Sequence, residues 1–308
     1  MLDLSLKFLR IGGNTMNRRK GNTAWYMLFT LPLIFVFTTV VIIPFFMGIV
    51  YSFFSWDGLK LNPKIFVGFD NYIRLFSDTR FLSSIGHTVL FTIVTVLFIN
   101  ILGLIFALIT TTKLKTRNVV RTMLLMPYLI GGIILGFIWQ FIFTDVFSFM
   151  GETLGLTNVF FNWLLDPEFA LISIMIVTTW QMAGYTMIIY IAGIQAIPED
   201  VIEAAAIDGA GFWKTLFKIK FPLMMPSFTI SLFMTLSTCF KIFDVNLSLT
   251  GGGPNNATEM FAMNIYNEIF AKNNFGYGQA KAILFFILVA VITLIQVSIT
   301  KKKEVTMQ

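Results

Sequence analysis

Two segments of this 308-residue chain carry polar and aromatic side chains at the spacing i, i+3, i+4 and i+7, which places each set on one helix face. The sets are Thr178, Gln181, Met182 and Tyr185, and Thr235, Thr238, Cys239 and Ile242. Hydroxyls, an amide and an aromatic ring on two facing helices would suit the hydroxyl groups and apolar faces of a saccharide. For the threonines and Cys239, ordinary packing between helices explains the pattern at least as well. Gln181 and Tyr185 are stronger candidates, because a large polar group inside an apolar helix needs a partner.

Residues for covalent or metal catalysis are scarce. The chain has a single cysteine, Cys239, and a single histidine, His87, which we place at the outer end of a helix. The nearest approach to a phosphate-binding loop, residues 209–215, lacks a second glycine beside Lys214 and follows no predicted strand. We therefore expect no catalytic residues, no metal site and no cofactor bound by this chain.

The elements that carry the candidate residues are long and apolar. The chain is 56% hydrophobic and 12% charged, against roughly 25% charged residues in a typical soluble protein. A membrane-spanning helix needs about 20 mostly apolar residues. Six runs meet this length, approximately Trp25–Phe54, Thr88–Thr112, Val119–Phe143, Phe169–Gly193, Pro222–Leu247 and Ala280–Thr300. The sequence therefore predicts an all-α, polytopic membrane protein with six transmembrane helices, the first kinked by Pro32 and Pro44.

The positive charges indicate an orientation. With the N-terminus inside, the inner segments hold 15 of the 22 Lys and Arg residues. We therefore predict that both termini are cytoplasmic and that the net charge of +6 reflects topology rather than a nucleic-acid partner. Met16, which precedes a short basic run, is an alternative start to Met1. Lys241 and Asp244, near the outer end of the fifth run, either pair with each other at the spacing i, i+3, which we favour, or place one charge against a ligand or a receptor at the cavity mouth.

The segment between the fourth and fifth runs, residues 197–220, predicts two short helices. Pro198 suits the first helical position, Glu199 and Asp200 place negative charge in the first turn, and Gly209 is placed to end the helix with a positive φ. A second amphipathic stretch, Phe212–Lys220, exposes apolar side chains beside lysines. The segment either rests on lipid headgroups or docks a soluble partner, and its physical chemistry favours neither.

Residues within and after this segment resemble the "EAA loop" of ABC importer permeases. The matching positions are Glu203-Ala204-Ala205, Asp208-Gly209-Ala210, Ile219, Phe221-Pro222 and Pro226, with Phe221 replacing the leucine of the family pattern. The resemblance implies the ABC type I importer permease fold, in which this loop is a cytoplasmic coupling helix seated in a groove of an ATPase subunit. It implies ATPase-coupling roles for Glu203, Ala204, Ala205, Asp208 and Gly209.

Two further motifs are similar to external segments of maltose and multiple-sugar permeases, which are inner-membrane components of binding-protein-dependent transport. The first is Phe66–Tyr72 with Asp78 and Phe81, and the second is Leu249–Pro254 with Ala257-Thr258-Glu259. The resemblance implies that Gly251, Gly252, Gly253 and Pro254 face a solute-binding protein. By its composition alone, the glycine-rich stretch predicts a flexible external turn that does no more than connect the fifth and sixth spans.

The resemblance also implies an assembly and a location. The expected partners are a second homologous permease, two ATPase subunits that bind ATP and Mg²⁺, and an extracellular solute-binding protein, in the cytoplasmic membrane of a bacterium. The expected organisation is a cytoplasmic tail (1–24), a first helix with an external segment (25–83), a permease domain (84–300) with its coupling loop (197–220), and a second cytoplasmic tail (301–308).

The implied cargo is a sugar or oligosaccharide, moved by alternating access. Trp180 and Tyr185 match the family pattern at its cavity, whereas Cys239 and Ile242 stand where the family has asparagines, which implies a different saccharide. Glycerol-3-phosphate or another small polar solute is the alternative, although the two candidate faces hold no Lys or Arg for a phosphate. A passive channel is disfavoured because it would not need docking helices. A membrane enzyme is disfavoured because it would need clustered titratable groups, which the spans lack.

Overall fold

The computed structural model describes residues 25–59, 61–112 and 115–304, so the expected tail 1–24 and the last four residues lie outside the described residues. In chain order the helices are α1 (Trp25–Tyr51), α2 (Asp70–Leu75), α3 (Thr79–Thr110), α4 (Arg117–Leu125), α5 (Gly132–Leu154), α6 (Pro167–Gln195), α7 (Glu199–Ile207), α8 (Phe212–Leu223), α9 (Met225–Phe240), α10 (Asp244–Leu249), α11 (Phe261–Tyr266) and α12 (Phe275–Lys301). A π-turn over Asn267–Ala271 continues α11. A two-residue hairpin, β1 (Phe54–Ser55) and β2 (Ile65–Phe66), pairs antiparallel between α1 and α2.

Five of these helices, α1, α3, α5, α6 and α12, are long and apolar enough to cross a membrane. The pair α8 and α9, bent by 70°, makes a sixth crossing if it is counted as one broken span. Pro226 in the first turn of α9 lacks the N–H that a continuous helix would use, which accounts for a break at this point. The prediction of an all-α polytopic fold is confirmed, with the fifth span in chain order broken rather than straight.

The predicted third span, Val119–Phe143, has the wrong bounds. A 3₁₀ turn at Met126–Leu129 and extended backbone at Ile130 and Gly131 separate α4 from α5, which then continues to Leu154. Pro127 and the glycine pair that begins with Gly131 explain the interruption, because proline lacks a donor and glycine tolerates non-helical backbone. The helix therefore breaks where hydropathy alone predicts a continuous span.

The predicted fifth span, Pro222–Leu247, is also wrong at its outer end, because α9 stops at Phe240 and α10 starts at Asp244.

The second span begins earlier than predicted. Asp78 caps α3 by accepting a hydrogen bond from the backbone N–H of Phe81 at 3.0 Å. In α1, the irregularity predicted near Pro44 is a π-turn over Thr38–Ile42.

A polar cluster buried between α3, α6 and α9 fixes the centre of the bundle. The Asn100 side-chain oxygen accepts hydrogen bonds from the hydroxyls of Tyr190 and Ser231, each at 2.6 Å. Its amide nitrogen donates to Thr235 Oγ1 at 3.2 Å and to the Val96 carbonyl at 2.7 Å. Hydrogen bonds between helices of this kind hold apolar spans in register.

Replacing Asn100 by leucine is expected to lower the free energy of unfolding by about 1–3 kcal/mol, because two buried hydroxyls lose their acceptor. Unfolding of the purified protein in lipid nanodiscs measures the change. Asn118→Leu on the exposed surface of α4 is the matched control. Equal stability of the two variants would show that the cluster contributes nothing.

Candidate functional site

A cavity of about 230 Å³ opens between α6, the outer end of α9 and the start of α10. Its walls are Gly132, Thr178, Gln181, Met182, Thr238, Lys241, Ile242, Phe243, Asp244 and Val245. Two of the chain's helix breaks, after Ile130 and after Phe240, border it. Irregular backbone at membrane depth is tolerated where it lines a cavity, and broken helices commonly frame transporter binding sites.

Close packing of α5 against α10 holds the two breaks together. Gly132 and Gly136, four residues apart on α5, face Asp244 and Ser248, four residues apart on α10. A Cβ at Gly132 would lie 2.8 Å from the Asp244 Cβ, and one at Gly136 would collide with Ser248. Small residues at this spacing let two helix backbones approach closely. Asp244 therefore has a fixed place in the cavity wall.

Five of the eight predicted cavity residues line this space, namely Thr178, Gln181, Met182, Thr238 and Ile242. The other three lie elsewhere. The Tyr185 ring stacks on Tyr128 with 4.5 Å between centroids, Thr235 belongs to the Asn100 cluster, and Cys239 is fully buried in the apolar core. α9 contributes Thr238 to the wall, and Ile242 comes from the break that follows α9.

Gln181 and Thr178 have different surroundings within the cavity. Gln181 Nε2 donates to the Ile130 carbonyl at 3.1 Å, so it satisfies a backbone group released by the break before α5. Thr178 is buried, and its hydroxyl has no hydrogen-bond partner in the part of the chain that the structure describes. Thr178 therefore contributes little accessible polar surface, whereas Thr238 in the same wall is exposed.

Lys241 and Asp244 do not form the predicted ion pair. No salt bridge joins them, although the described residues contain others, and both side chains line the cavity. The prediction assumed a continuous helix, whereas the chain leaves α9 at Lys241 and Phe243 has φ −139° and ψ −57°. The break replaces the expected pair with two separate charges at the cavity, and neither residue belongs to the two candidate helix faces.

Trp180 faces away from the polar cavity. It lines a larger, apolar groove of about 550 Å³ between α3, α4 and α6, together with residues such as Phe98, Leu102 and Pro127. Its ring meets Trp139 edge-on at 5.5 Å. Since this groove offers almost no polar group, it does not suit a hydrophilic solute.

The predicted coupling segment forms a helix, a glycine turn and a second helix. Pro198 is the N-cap of α7 rather than its first residue, and Glu199 and Asp200 occupy the first turn as predicted. Gly209 has φ +68°, as predicted. The N–H groups of Gly209 and Ala210 donate to the carbonyls of Ala206 and Ala205 at 3.1 and 2.9 Å, which is the Schellman pattern of helix termination.

Apolar and acidic side chains are exposed along this segment. Ile207 is 86% exposed, and Phe212, Trp213 and Phe217 are also exposed, with Trp213 stacked on Phe217 at 5.9 Å. Glu203 on α7 is also exposed. Ala205 and Leu216 are buried and anchor the two helices to the bundle. We name the surface of Glu203, Ile207, Phe212, Trp213 and Phe217 the coupling surface. It is large and apolar enough to act as an interaction site.

The glycine-rich loop predicted to be external is held by side-chain hydrogen bonds. Gly251 and Gly252 have φ +59° and +85°. Thr258 Oγ1 donates to the Gly253 carbonyl at 2.6 Å, and the buried Asn246 side chain donates to the Thr258 carbonyl at 2.8 Å. The prediction of flexibility is therefore wrong, because residues on both sides of the glycines bind the loop.

A buried ionic network joins this loop to the outer ends of α3 and α12. Arg80 binds both carboxylate oxygens of Glu259, at 2.6 and 2.8 Å. Glu259 also accepts from Asn264 at 3.3 Å and from Asn267 at 2.8 Å. Burial raises the pKa of Glu259, but the hydrogen bonds and the positive charge of Arg80 outweigh it and hold the pKa below its usual value.

Lys281 is the second centre of this network. Its side chain is 0% exposed, and its ammonium contacts Asp78 at 3.0 Å, Glu268 at 2.9 Å and the Asn264 side-chain oxygen at 2.9 Å. Burial raises the pKa of Glu268. Hydrogen bonds and positive charge from Lys281 and Lys272 lower it by more, so the net shift is downward. Sequence reasoning missed this network, because its members are spread from residue 78 to residue 281.

His87 lies eight residues into α3, where it is half-buried, so its predicted place at a helix end is wrong. The reason is that α3 starts at Thr79, well before its apolar part. The first turns of this helix are covered by protein, as the burial of Phe81 and Ser84 shows.

Comparison with known proteins gives a consistent assignment. Residues 99–305 match the family described as "Binding-protein-dependent transport system inner membrane component". A probable starch degradation products transport system permease protein of Thermoanaerobacterium thermosulfurigenes is 46% identical over 93% of this chain and 97% of its own length. A multiple sugar-binding transport system permease protein of Streptococcus mutans is 32% identical over 94% of this chain and 99% of its own. The fold is similar to that of a bacterial ABC transporter involved in alginate import, with a TM-score of 0.78 at 21% identity, covering 92% of this chain and 98% of that one.

Proposed function

Because the chain belongs to the family of binding-protein-dependent transport system inner membrane components, we propose that it is the permease subunit of an ATP-driven ABC importer for a sugar or oligosaccharide. The polar cavity between α6 and the two helix breaks carries this proposal. A saccharide needs hydrogen-bond donors and acceptors beside apolar surface, and Gln181, Thr238 and Ile242 provide both in one space. The names of the starch-product and multiple-sugar relatives support the choice of cargo.

ATP hydrolysis belongs to separate ATPase subunits, which bind ATP and Mg²⁺ and dock on the coupling surface. Two observations support this part of the proposal. Ile207, with 86% of its surface exposed, projects from a short helix that ends in a defined turn. The segment Glu203–Gly209, including Ala204, Ala205 and Asp208, matches the coupling sequence of the family. An exposed apolar anchor surrounded by polar residues is typical of a protein interface.

The remaining partners follow from the same assignment. A second homologous permease completes the pathway, and a solute-binding protein docks on the outer face at Gly251–Pro254. The side-chain hydrogen bonds that hold this loop give such a protein a defined surface. Both termini are then cytoplasmic, and the permease domain runs over 84–300. All of these subunits meet in the cytoplasmic membrane.

Alternating access would use the helix breaks. When the ATPase subunits close, they move the coupling surface, and the attached spans rock around the cavity as rigid bodies. The breaks after Ile130 and Phe240 separate rigid helices at the cavity wall, where relative motion of α5, α9 and α10 would open or close it.

Glycerol-3-phosphate remains the competing cargo, but a phosphate would want several cationic groups. The cavity holds Lys241 alone, with Asp244 in the same wall.

ATP-driven uptake of labelled maltotriose by the reconstituted transporter tests the proposal. Thr238→Val keeps the side-chain shape and removes a hydroxyl from an exposed residue of the cavity wall. If that hydroxyl binds the cargo, uptake should fall about three- to tenfold at unchanged stability. Thr153→Val is the matched control, because Thr153 is also exposed but lies on α5 outside the cavity. Absence of ATP-driven uptake of any saccharide by the wild type would overturn the proposed function.

A further inference from the structure

Two opposite charges line the proposed binding cavity without neutralising each other. Lys241 follows the last residue of α9 and Asp244 is the first residue of α10. On a continuous helix, residues at i and i+3 would be neighbours, about 5–6 Å apart at Cβ. The non-helical backbone at Phe243 removes this neighbourhood, and no salt bridge joins the two side chains. Each charge therefore faces the cavity independently.

The hydrogen-bonding capacity of both groups is unused by the protein. Neither the Lys241 ammonium nor the Asp244 carboxylate has a hydrogen-bond partner among the described residues, whereas Gln181 already donates to the Ile130 carbonyl. An ammonium offers three donors and a carboxylate only acceptors. Both side chains are exposed where they line the cavity, so only a solute or water can meet their hydrogen-bonding groups.

We propose that Lys241 and Asp244 determine specificity by forming a charge-balanced pair that binds the hydroxyls of a neutral saccharide and rejects anionic solutes. The inference rests on the function proposed above. A sugar hydroxyl both donates and accepts, so neighbouring hydroxyls on one ring satisfy the ammonium and the carboxylate without bringing a charge. Hydrogen bonds to charged groups are stronger than those between neutral groups.

An anionic solute is expected to bind less well than a neutral saccharide. Its carboxylate or phosphate gains from Lys241 but brings negative charge into the same small cavity as Asp244, and like charges brought together at a binding site are strongly unfavourable. Asp244 cannot easily withdraw, because its Cβ lies against Gly132 in the contact between α5 and α10. Asp244 is therefore the residue that excludes uronates and sugar phosphates.

Binding of two matched trisaccharides to the assembled transporter in nanodiscs tests this role. Saturation-transfer NMR compares maltotriose with maltotrionic acid, its anionic oxidation product, without the solute-binding protein and its own selectivity. The wild type should prefer maltotriose. Asp244→Asn should raise the binding of maltotrionic acid relative to maltotriose about tenfold, and Lys241→Gln should weaken both and reject the anion more strongly. Glu152→Gln, an exposed charge on α5 outside the cavity, is the control and should match the wild type.

A charge exchange separates selectivity from structural effects. Lys241→Asp combined with Asp244→Lys restores the net balance, so the preference for maltotriose should return even if the overall affinity falls. An Asp244→Asn variant that keeps the wild-type ratio of the two ligands would overturn the inference and leave the transport function standing. A wild-type complex that binds neither saccharide and takes up none would overturn the proposed function itself.

Discussion

Replacing Lys281 by methionine is expected to lower the free energy of unfolding by about 3–5 kcal/mol, because removal of one partner leaves buried charges uncompensated. The Lys281 ammonium is fully buried and contacts both Asp78 and Glu268. Methionine has a similar length and flexibility, so the loss comes from the charge and not from a cavity. These contacts join the start of α3 to the segment after α11, and the variant should loosen the outer end of the bundle.

Lys272→Met is the matched control for this prediction. Lys272 also contacts Glu268 at 2.9 Å, but its side chain is 45% exposed. An exposed ion pair contributes about 0–1 kcal/mol, so this variant should unfold almost like the wild type in nanodiscs. Equal destabilisation by the two substitutions would contradict a dominant role for the buried lysine.

The pH dependence of stability gives a second measure of the same network. The pKa values of Glu259 and Glu268 lie below the ordinary glutamate value of 4.5. A carboxyl whose folded pKa is depressed stabilises the fold fully above its ordinary pKa and loses that contribution as the pH falls through the folded pKa. The wild type should therefore lose stability as the pH falls below about 4.5, and Lys281→Met should lose less over that interval.

Hydropathy located the spans well because lipid demands a fixed length of apolar chain. The predicted fourth span, Phe169–Gly193, differs from α6 by only two residues at each end. Hydropathy failed at the start of α3, where nine residues from Thr79 to His87 are helical but were predicted to lie outside the span. One face of those turns, with Phe81 and Ser84, packs against protein, and no apolar run marks burial of that kind.

The helix breaks and the ionic network depend on contacts between distant segments. Pro127 gave a local signal for the break before α5, but no proline or glycine marks the break after Phe240. Packing of α10 on Gly132 and Gly136 accompanies that break, and a window of neighbouring residues contains no such information. For the same reason, the sequence predicted only part of the cavity. Helical spacing places Gln181 in the cavity wall, but the prediction for Lys241 and Asp244 assumed that both lie on one helix.

Replacing Gly209 by valine is expected to reduce ATP-driven uptake about 5- to 30-fold, because the turn that orients the coupling surface requires a left-handed backbone. Gly209 has φ +68°, and this conformation costs a residue with a Cβ roughly 1–2 kcal/mol, most severely when the side chain is branched. A Cβ at Gly209 would meet no atom within 4 Å, so the effect is one of backbone conformation and not of steric collision. The variant should favour turns that change the orientation of α8 relative to α7, and the ATPase subunits should then dock less well.

Gly211→Val separates this mechanism from a general loss of flexibility. Gly211 lies two residues further on, and a Cβ there also meets nothing within 4 Å, but its φ of −67° and ψ of 168° are open to any residue. This variant should therefore transport like the wild type, while Gly209→Val should lose both uptake and co-purification of the ATPase subunits. If both variants transport equally well, the turn does not set the geometry of coupling. If Gly209→Val loses uptake but retains the ATPase subunits, the turn transmits motion without determining docking.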